Sequence, residues 1–426
     1  ANLKNVEYYW FPVQGSNLRS IGLELGRFPE EVVLAPELDI KGDLFAQKPS
    51  VGAVMTEKRT LQHQADNKVW RLYVDVSCTD AEHDGSSWAK AYRSINEAIE
   101  YFANVQATDG VERFEILVRE GDCYPRYSFT NLDPKTATIN VLKTERPLVI
   151  KGGYRVEDDG SAARKPLEYR SVIDGNPKGK ALEDGLYHCI TVAEDANVEI
   201  DGFHVVGGYA VSSTYKSGAG MLVGKRAAVT VRNTVFENNT AVEAAAISAQ
   251  DGSNLTLVNC VVNNNTNTTE SASVIAANNL TMHYVTVVNN KGAAPGGNYS
   301  TSFSAGNTFG SNNMQNLNTL SADGAKNFAN PTNAPGATLG YDTYLGGYSE
   351  FRPLTSSTDA AVLINKANAV EGVTEDISGK GRNLGGKPDL GAYEADLPES
   401  GRVIYVRENG TGDGLSWEDA MGSING

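Results

Sequence analysis

Three ionisable residues occupy matching places in β-branched segments of this chain. Asp174 follows Val172-Ile173, Asp201 follows Val198-Glu199-Ile200, and Arg232 follows Val229-Thr230-Val231. Aligning the segments puts Asp174, Asp201, Arg232, Val258 and His283 in one column. Stacked strands lie about 4.8 Å apart, so such a column would set two carboxylates side by side and an arginine beyond them. Neighbouring carboxylates raise one another's pKa or share a cation, and a guanidinium fork pairs with an acidic sugar. The competing reading is a solvated face on which Asp and Arg neutralise each other between rungs. The column lacks a dense cluster of Asp, Lys and Arg, so no residue is assigned a catalytic role. Asp174, Asp201 and Arg232 are the candidates.

Other constellations are thinner. Asp80-x-Glu82-x-Asp84-Gly85 begins like a calcium loop, with Asp80, Glu82 and Asp84 as the would-be ligands. The glutamate an EF-hand requires twelve places in would fall at Ala91, so a turn rich in Asp and Gly is expected and no metal or other cofactor is assigned. The five His are scattered, and neither Gly-x-Ser-x-Gly nor His-Glu-x-x-His occurs. Cys78, Cys123, Cys189 and Cys260 show no metal-type spacing. Cys189 and Cys260 fall at apolar strand positions and read as small buried hydrophobes; a bridge between Cys78 and Cys123 is left open.

The elements that must hold these residues are set by repetition. Leu255-Thr-Leu-Val-Asn-Cys-Val-Val-Asn-Asn-Asn repeats the pattern of the segments starting at Val229 and Leu280, and Val198 opens a fourth unit with Gly at the corner. Equivalent residues Ile200, Val231, Leu257 and Met282 are 31, 26 and 25 residues apart. A lone coil of this size cannot bury its apolar face, but stacked coils form one continuous core. The prediction is all-β: a right-handed parallel β-helix solenoid. Asn marks its corners because it tolerates left-handed backbone. Asn239, Asn265 and Asn290 are placed to form a hydrogen-bonded ladder. The Asn-x-Ser/Thr sequences at Asn238, Asn254, Asn264 and Asn279 are read as turn chemistry.

An amphipathic helix is expected over about 87–102, N-capped by Ser86 or Ser87, with Trp88, Tyr92, Ile95 and Ile99 on its apolar stripe. It would plug the open N-terminal end of the coils. Trp88 has a second reading, a platform on which a sugar ring stacks. Asp84-Gly-Ser-Ser-Trp88 recurs as Asp413-Gly-Leu-Ser-Trp417 at a constant offset of 329, and Lys48-Pro49-Ser50-Val51-Gly52-Ala53 recurs as Lys387-Pro388-Asp389-Leu390-Gly391-Ala392. The expected organisation is the tail of one module over 1–65, a complete module over 70–395 with coils over about 114–394, and the start of a third over 401–426. Insertions at 122–137 and 155–170 are placed to wall a groove, and 292–348 read as looser coils.

The net charge of −15 argues against nucleic acid and anionic membranes as partners. No apolar run is long enough to span a bilayer. The coil pattern resembles right-handed parallel β-helix proteins of bacterial surfaces, a pectate-lyase-like superfold, including the polymorphic outer-membrane protein type of repeat. Ala244-Ala245-Ala246-Ile247 departs from the commoner Gly-Gly-Ala-Ile start. The frame of Asp84 to Trp88 and Asp389 to Glu394 is similar to that of large secreted Bacteroidetes-type β-helix proteins. The resemblance implies export to the bacterial surface and work as an adhesin or structural stalk, with neighbouring modules of the same chain and a glycan or host-surface ligand as partners. The alternatives are a polysaccharide lyase or glycoside hydrolase, which predicts an aromatic-lined groove over the column, and a non-catalytic glycan-binding module using Tyr-rich loops (19 Tyr).

Overall fold

The computed structural model describes residues 68–290 with short breaks, strand segments between 314 and 353, most of 364–395, and 405–411 with 422. The partial module expected over 1–65 lies wholly outside these residues, as do the greater part of 401–426 and most of 292–348.

Sheet A stacks Val69–Val74, Arg113–Arg119, Leu148–Val156, Asn197–Asp201, Ala228–Arg232, Asn254–Val258 and Asn279–His283, all parallel. Sheet B follows after a one- or two-residue corner and includes Ser171–Asp174, Phe203–Val206, Val235–Glu237, Val261–Asn263 and Thr286–Val288. Sheet C runs from Ile139–Val141 to Ile275–Ala276, and a short sheet D begins at Tyr209–Ala210. This is a right-handed parallel β-helix, the hand that parallel crossovers take. The registers follow the sequence spacing: Val231 lies opposite Ile200 and Leu257, and Leu257 opposite Met282. Alternation decides which face is inside. Val198, Val229, Leu255 and Leu280 form one buried column, and Ile200, Val231, Leu257 and Met282 the next. Phe203, Phe236 and Val262 meet them from sheet B, and Met221, Ile247 and Ile275 from sheet C.

Two corners use left-handed backbone. Between sheets A and B it falls on Gly202, Asn233, Asn259 and Tyr284; between sheets B and D it falls on Gly207, Asn238 and Asn264. The residue after the second corner builds the ladder. The Asn265 side-chain oxygen accepts from the Asn239 backbone N–H (3.1 Å) and Nδ2 (3.0 Å), and Asn290 does the same for Asn265 at 2.9 and 3.0 Å. Asn239 closes the series by accepting from the Gly208 N–H at 3.0 Å. In Asn238-Asn239 and Asn264-Asn265 the first residue makes the turn and the second carries the ladder.

The N-terminal cap differs from expectation. Its helix, α1, spans Ile95–Asn104, and Ser94 is the N-cap, its hydroxyl accepting from the Asn96 N–H at 3.1 Å. Residues 84–92 are a turn and a strand-like bridge. Asp84 Oδ1 accepts from the Ser86 N–H, Gly85 is left-handed, and Tyr92 pairs with Tyr73 through its N–H. That bridge holds 92 extended, so the helix starts late and Trp88 stands off it. Tyr92, Ile95 and Ile99 are buried as the stripe requires, and Phe102 stacks on Phe114 at 4.3 Å to close the first rung.

Residues 364–395 run across the outer face of sheet B as a strap. Leu390, Ala392 and Tyr393 pack with Val235, Val261 and Tyr284, and the Ala392 N–H donates to Thr286 Oγ1 at 2.9 Å. At the corner between sheets B and D, Asn265 is the centre of the Asn ladder. Asn265→Ala removes the acceptor for two Asn239 donors and the donor for the Phe236 and Asn263 carbonyls. We expect a loss of about 3 kcal/mol, seen as a lower midpoint in urea, whereas Asn264→Gly, at an exposed left-handed position, leaves that midpoint nearly unchanged.

Candidate functional site

The outward column of sheet A reads Tyr73, Leu117, Lys151, Asp201, Arg232, Val258 and His283. Asp201 and Arg232 are adjacent in it, as aligned from sequence. Asp174 is not. It ends a sheet B strand opposite Val206, and its Oδ1 accepts from the Asn176 N–H at 2.8 Å. Val172-Ile173-Asp174 carries the same alternation as a sheet A segment, so its pattern did not distinguish the two sheets. The place below Asp201 belongs to Lys151, contributed by Leu148–Val156. The column therefore brings together a lysine, a carboxylate and an arginine, not two carboxylates.

Each charge here has a partner. Asp201 is 6% exposed and pairs with Arg164 at 2.8 Å, while Asn233 Nδ2 donates to it at 2.8 Å. Arg232 pairs with Glu199 at 3.0 Å rather than with Asp201. Two rungs down from Glu199, Glu115 is 2% exposed and meets Arg71 (2.8 Å), Arg113 (2.8 Å) and Lys151 (3.1 Å). Burial alone would raise the Glu115 carboxyl, but hydrogen bonds and charge from these three cations outweigh it and hold the carboxyl below the ordinary glutamate value.

A cleft of about 410 Å³ opens beside the column. Arg164, Lys165 and Glu168 form one wall, the strap over 372–379 the other, and Arg232, Asn233 and Asn259 contribute to its lining. The 155–170 insertion thus does wall a groove; residues 126–132 of the other insertion lie outside the described residues. None of the lining side chains is aromatic. Aromatic rings gather at the N-terminal end of the same sheet face instead. Half-buried Trp88 meets Tyr73 at 4.9 Å and Tyr154 at 5.6 Å, and the Arg164 guanidinium sits 5.8 Å from the Tyr154 ring. Sequence periodicity assigned Trp88 to the helix core; the turn chemistry at Asp84-Gly85 was the signal against it.

The strap is fixed by a buried knot that sequence reading did not find. Arg382, 1% exposed, donates to Glu394 Oε1 (2.9 Å), to Asn259 Oδ1 (2.6 Å) and to two carbonyls, and stacks on Tyr284 at 4.0 Å. Asp389 accepts from the Asn365 and Ala395 amides, and Asp376 from the Ser378, Lys380 and Glu394 amides. Burial, and then the Asp389 charge, push the Glu394 carboxyl up to about 7 against the pull of Arg382.

The remaining candidates are not brought together. Asp84 is engaged by Ser86, the Asp80 carbonyl accepts from Arg93, and Glu82 lies outside the described residues. Among the described residues no three His, Cys, Asp or Glu side chains form a metal-binding group. All four cysteines are free thiols, so Cys78 and Cys123 are not bridged. Burial pushes the Cys123 and Cys260 thiols up to about 12. No described helix is long and apolar enough to cross a membrane.

No family model matches this chain, and no curated protein sequence matches it. Among solved structures, the crystal structure of the pectate lyase Pel9A is similar over 78% of this chain and 98% of that one, at 16% identity and a TM-score of 0.29. A likeness so remote leaves the site to be argued from its own geometry. The class that geometry defines is a parallel β-helix protein.

Two outcomes follow. Arg382→Met leaves the buried Glu394 without its cation and costs about 3–5 kcal/mol; faster hydrogen exchange at the Ala392 and Ala395 amides is the readout. His204 is buried beneath the 166–170 segment, and burial with the Arg170 charge holds its imidazole down at about 3. An unfolded-chain histidine protonates near 6.5, so between these values the unfolded state binds the extra proton and stability falls as pH falls. Above 6.5 the residue contributes no slope. The difference in thermal midpoint between wild type and His204→Leu should therefore shift in favour of the variant from pH 7 to pH 4; a constant difference would contradict this.

Proposed function

We propose that the chain is a non-enzymatic module of an exported bacterial surface protein, one β-helix unit in a tandem array that serves as an adhesin or stalk. The observation that carries this reading is the state of the groups able to do chemistry. Asp201, Glu199 and Glu115 each neutralise a cation on the sheet A face, and Asp174 caps a turn in another sheet. These are the contacts of a scaffold that makes its outer face self-complementary. Internal repetition supports the same reading: the Asp84 to Trp88 and Asp389 to Ala392 frame recurs within the sequence. Repeating a module adds reach and avidity, whereas a single active site gains little from being strung in line. Export and a Bacteroidetes-like origin rest on the resemblance of that frame and are part of the proposal.

A polysaccharide lyase or hydrolase is the second reading, favoured by the cleft beside Arg232. The two are separated by incubating the purified chain with acidic and neutral polysaccharides, with and without calcium, beside Asp201→Asn. The array reading expects no new reducing or unsaturated ends on any substrate. Product formed by wild type and lost in the variant would replace it with the enzyme reading.

A further inference from the structure

The knot that fixes the strap holds more negative groups than positive ones. Arg382, Asp376, Asp389 and Glu394 are each no more than 2% exposed. With every group ionised, one buried cation would face three buried carboxylates, and protein interiors avoid such an uncompensated charge by keeping a proton. We propose that the knot is a proton-held latch: the strap stays closed over sheet B while one of these buried carboxyls keeps a proton, and loosens when that proton leaves. Loosening uncovers Val235, Val261 and Tyr284 and releases the 372–379 wall of the cleft. The inference goes beyond the array reading, which stands whether or not the strap moves.

The hydrogen bonds indicate which carboxyl holds the proton. Asp376 accepts from the Ser378, Lys380 and Glu394 amides and from the Ser378 hydroxyl, and Asp389 accepts from the Asn365 and Ala395 amides, one on each oxygen. Donors of this kind favour the charged form. On Glu394, the Arg382 guanidinium and the Asp389 amide both reach Oε1. Arg382 also divides its donors among the Asn259 side-chain oxygen and the Gly391 and Ala392 carbonyls. Glu394 is therefore the carboxyl that keeps the proton, in keeping with the value near neutrality to which burial and the Asp389 charge raise it. Burial raises Asp389 in the same sense. Among the described residues no second buried cation joins the knot. The coils beneath the strap present Asn259, Tyr284 and Thr286. In the neighbouring segment Arg164 pairs with Asp201 and Lys165 with Glu168. On the strap itself Lys380 is half-buried and Glu375 exposed.

The direction of the response follows. In an opened strap the Glu394 carboxyl returns to the ordinary glutamate value of about 4.3, whereas in the closed strap it lies at about 7. The closed state binds the extra proton between these values, so its stabilising effect is complete below the lower one and is lost as pH rises through the upper one. His204 stands on the same outer column of sheet B, next to Val235, but lies under the 166–170 segment and responds with the opposite sign. A readout local to the strap separates the two.

The test is amide hydrogen exchange of the whole chain at pH 5.5 and pH 8.5, each rate divided by that of an unstructured chain at the same pH. Protection at the Ala392 and Ala395 amides, which donate to Thr286 and Asp389, should fall on the order of tenfold between the two. Protection at the Asn239 and Asn265 amides of the ladder should stay level. Glu394→Gln keeps an acceptor for Arg382 and cannot ionise, so its strap amides should be as protected at pH 8.5 as at pH 5.5. Carboxyl-13C labelling of the glutamates gives the Glu394 midpoint directly in the wild type, its signal being the one missing from the variant; we expect it near neutrality. Equal protection at both pH values in the wild type would overturn the latch, as would a wild-type-sized fall in Glu394→Gln or a Glu394 midpoint in the ordinary carboxylate range. A fall shared by the ladder amides would mark global unfolding instead of strap opening and would overturn it too. If the variant's strap is open at both pH values, the wild-type exchange and midpoint decide.

Discussion

The structure depends on one constraint: every coil must hydrogen-bond to the coil below it, residue by residue, through parallel strands. A polar group on an inner or corner position therefore has to find its partner in an equivalent residue one coil away. The Asn ladder is one solution, since the side-chain amide offers both an acceptor to the rung below and donors to carbonyls around it. Cys189 and Cys260 are another solution at buried sites. Their thiols lie against backbone carbonyls, and burial raises their pKa far above neutrality, so they are inert packing groups. On the outer face, vertical ion pairs do the same for charge.

That constraint explains which parts were legible in the sequence. Strand position and register followed from the apolar alternation and the 25–31-residue spacing, because a slip by one residue would turn Val231 or Leu257 to solvent. Asn239, Asn265 and Asn290 were legible because stacking imposes the same chemistry on each coil. Asp174 was misplaced because a four-residue strand alternates identically in sheet A and sheet B. Its true alignment is decided by the loop that precedes it. Trp88 was misplaced for a similar reason: a helical stripe from 88 to 102 is real only from 95 onward, and Asp84-Gly85 and the Tyr92 bridge hold the preceding residues in a turn and extended backbone.

The strap was the least legible part. Arg382, Asp389 and Glu394 are separated from Asn259 and Tyr284 by 98 to 135 residues, and no period links them. Tyr284 holds a left-handed backbone, φ 55°, which a bulky residue adopts only under compulsion. The compulsion is visible: its ring lies under Arg382 and its hydroxyl donates to the Asn368 carbonyl at 2.6 Å. Strap and corner are therefore interdependent, and the cleft wall over 372–379 is held in place through the same contacts.

A buried cluster of one arginine and three carboxylates is a poor device for stability alone, since apolar residues of similar volume often do as well or better. The sequence contains such a comparison. Where the Pro49 and Pro388 segments align, Ser50 stands for Asp389 and Met55 for Glu394. The first partial copy has thus replaced both carboxylates, one by an apolar side chain, while keeping the Gly-Ala that lets the backbone approach. The acid at Asp376 is kept, as Asp39 in the aligned Asp-Ile-x-Gly segment, so the two copies part at Asp389 and Glu394 and not at all three carboxylates.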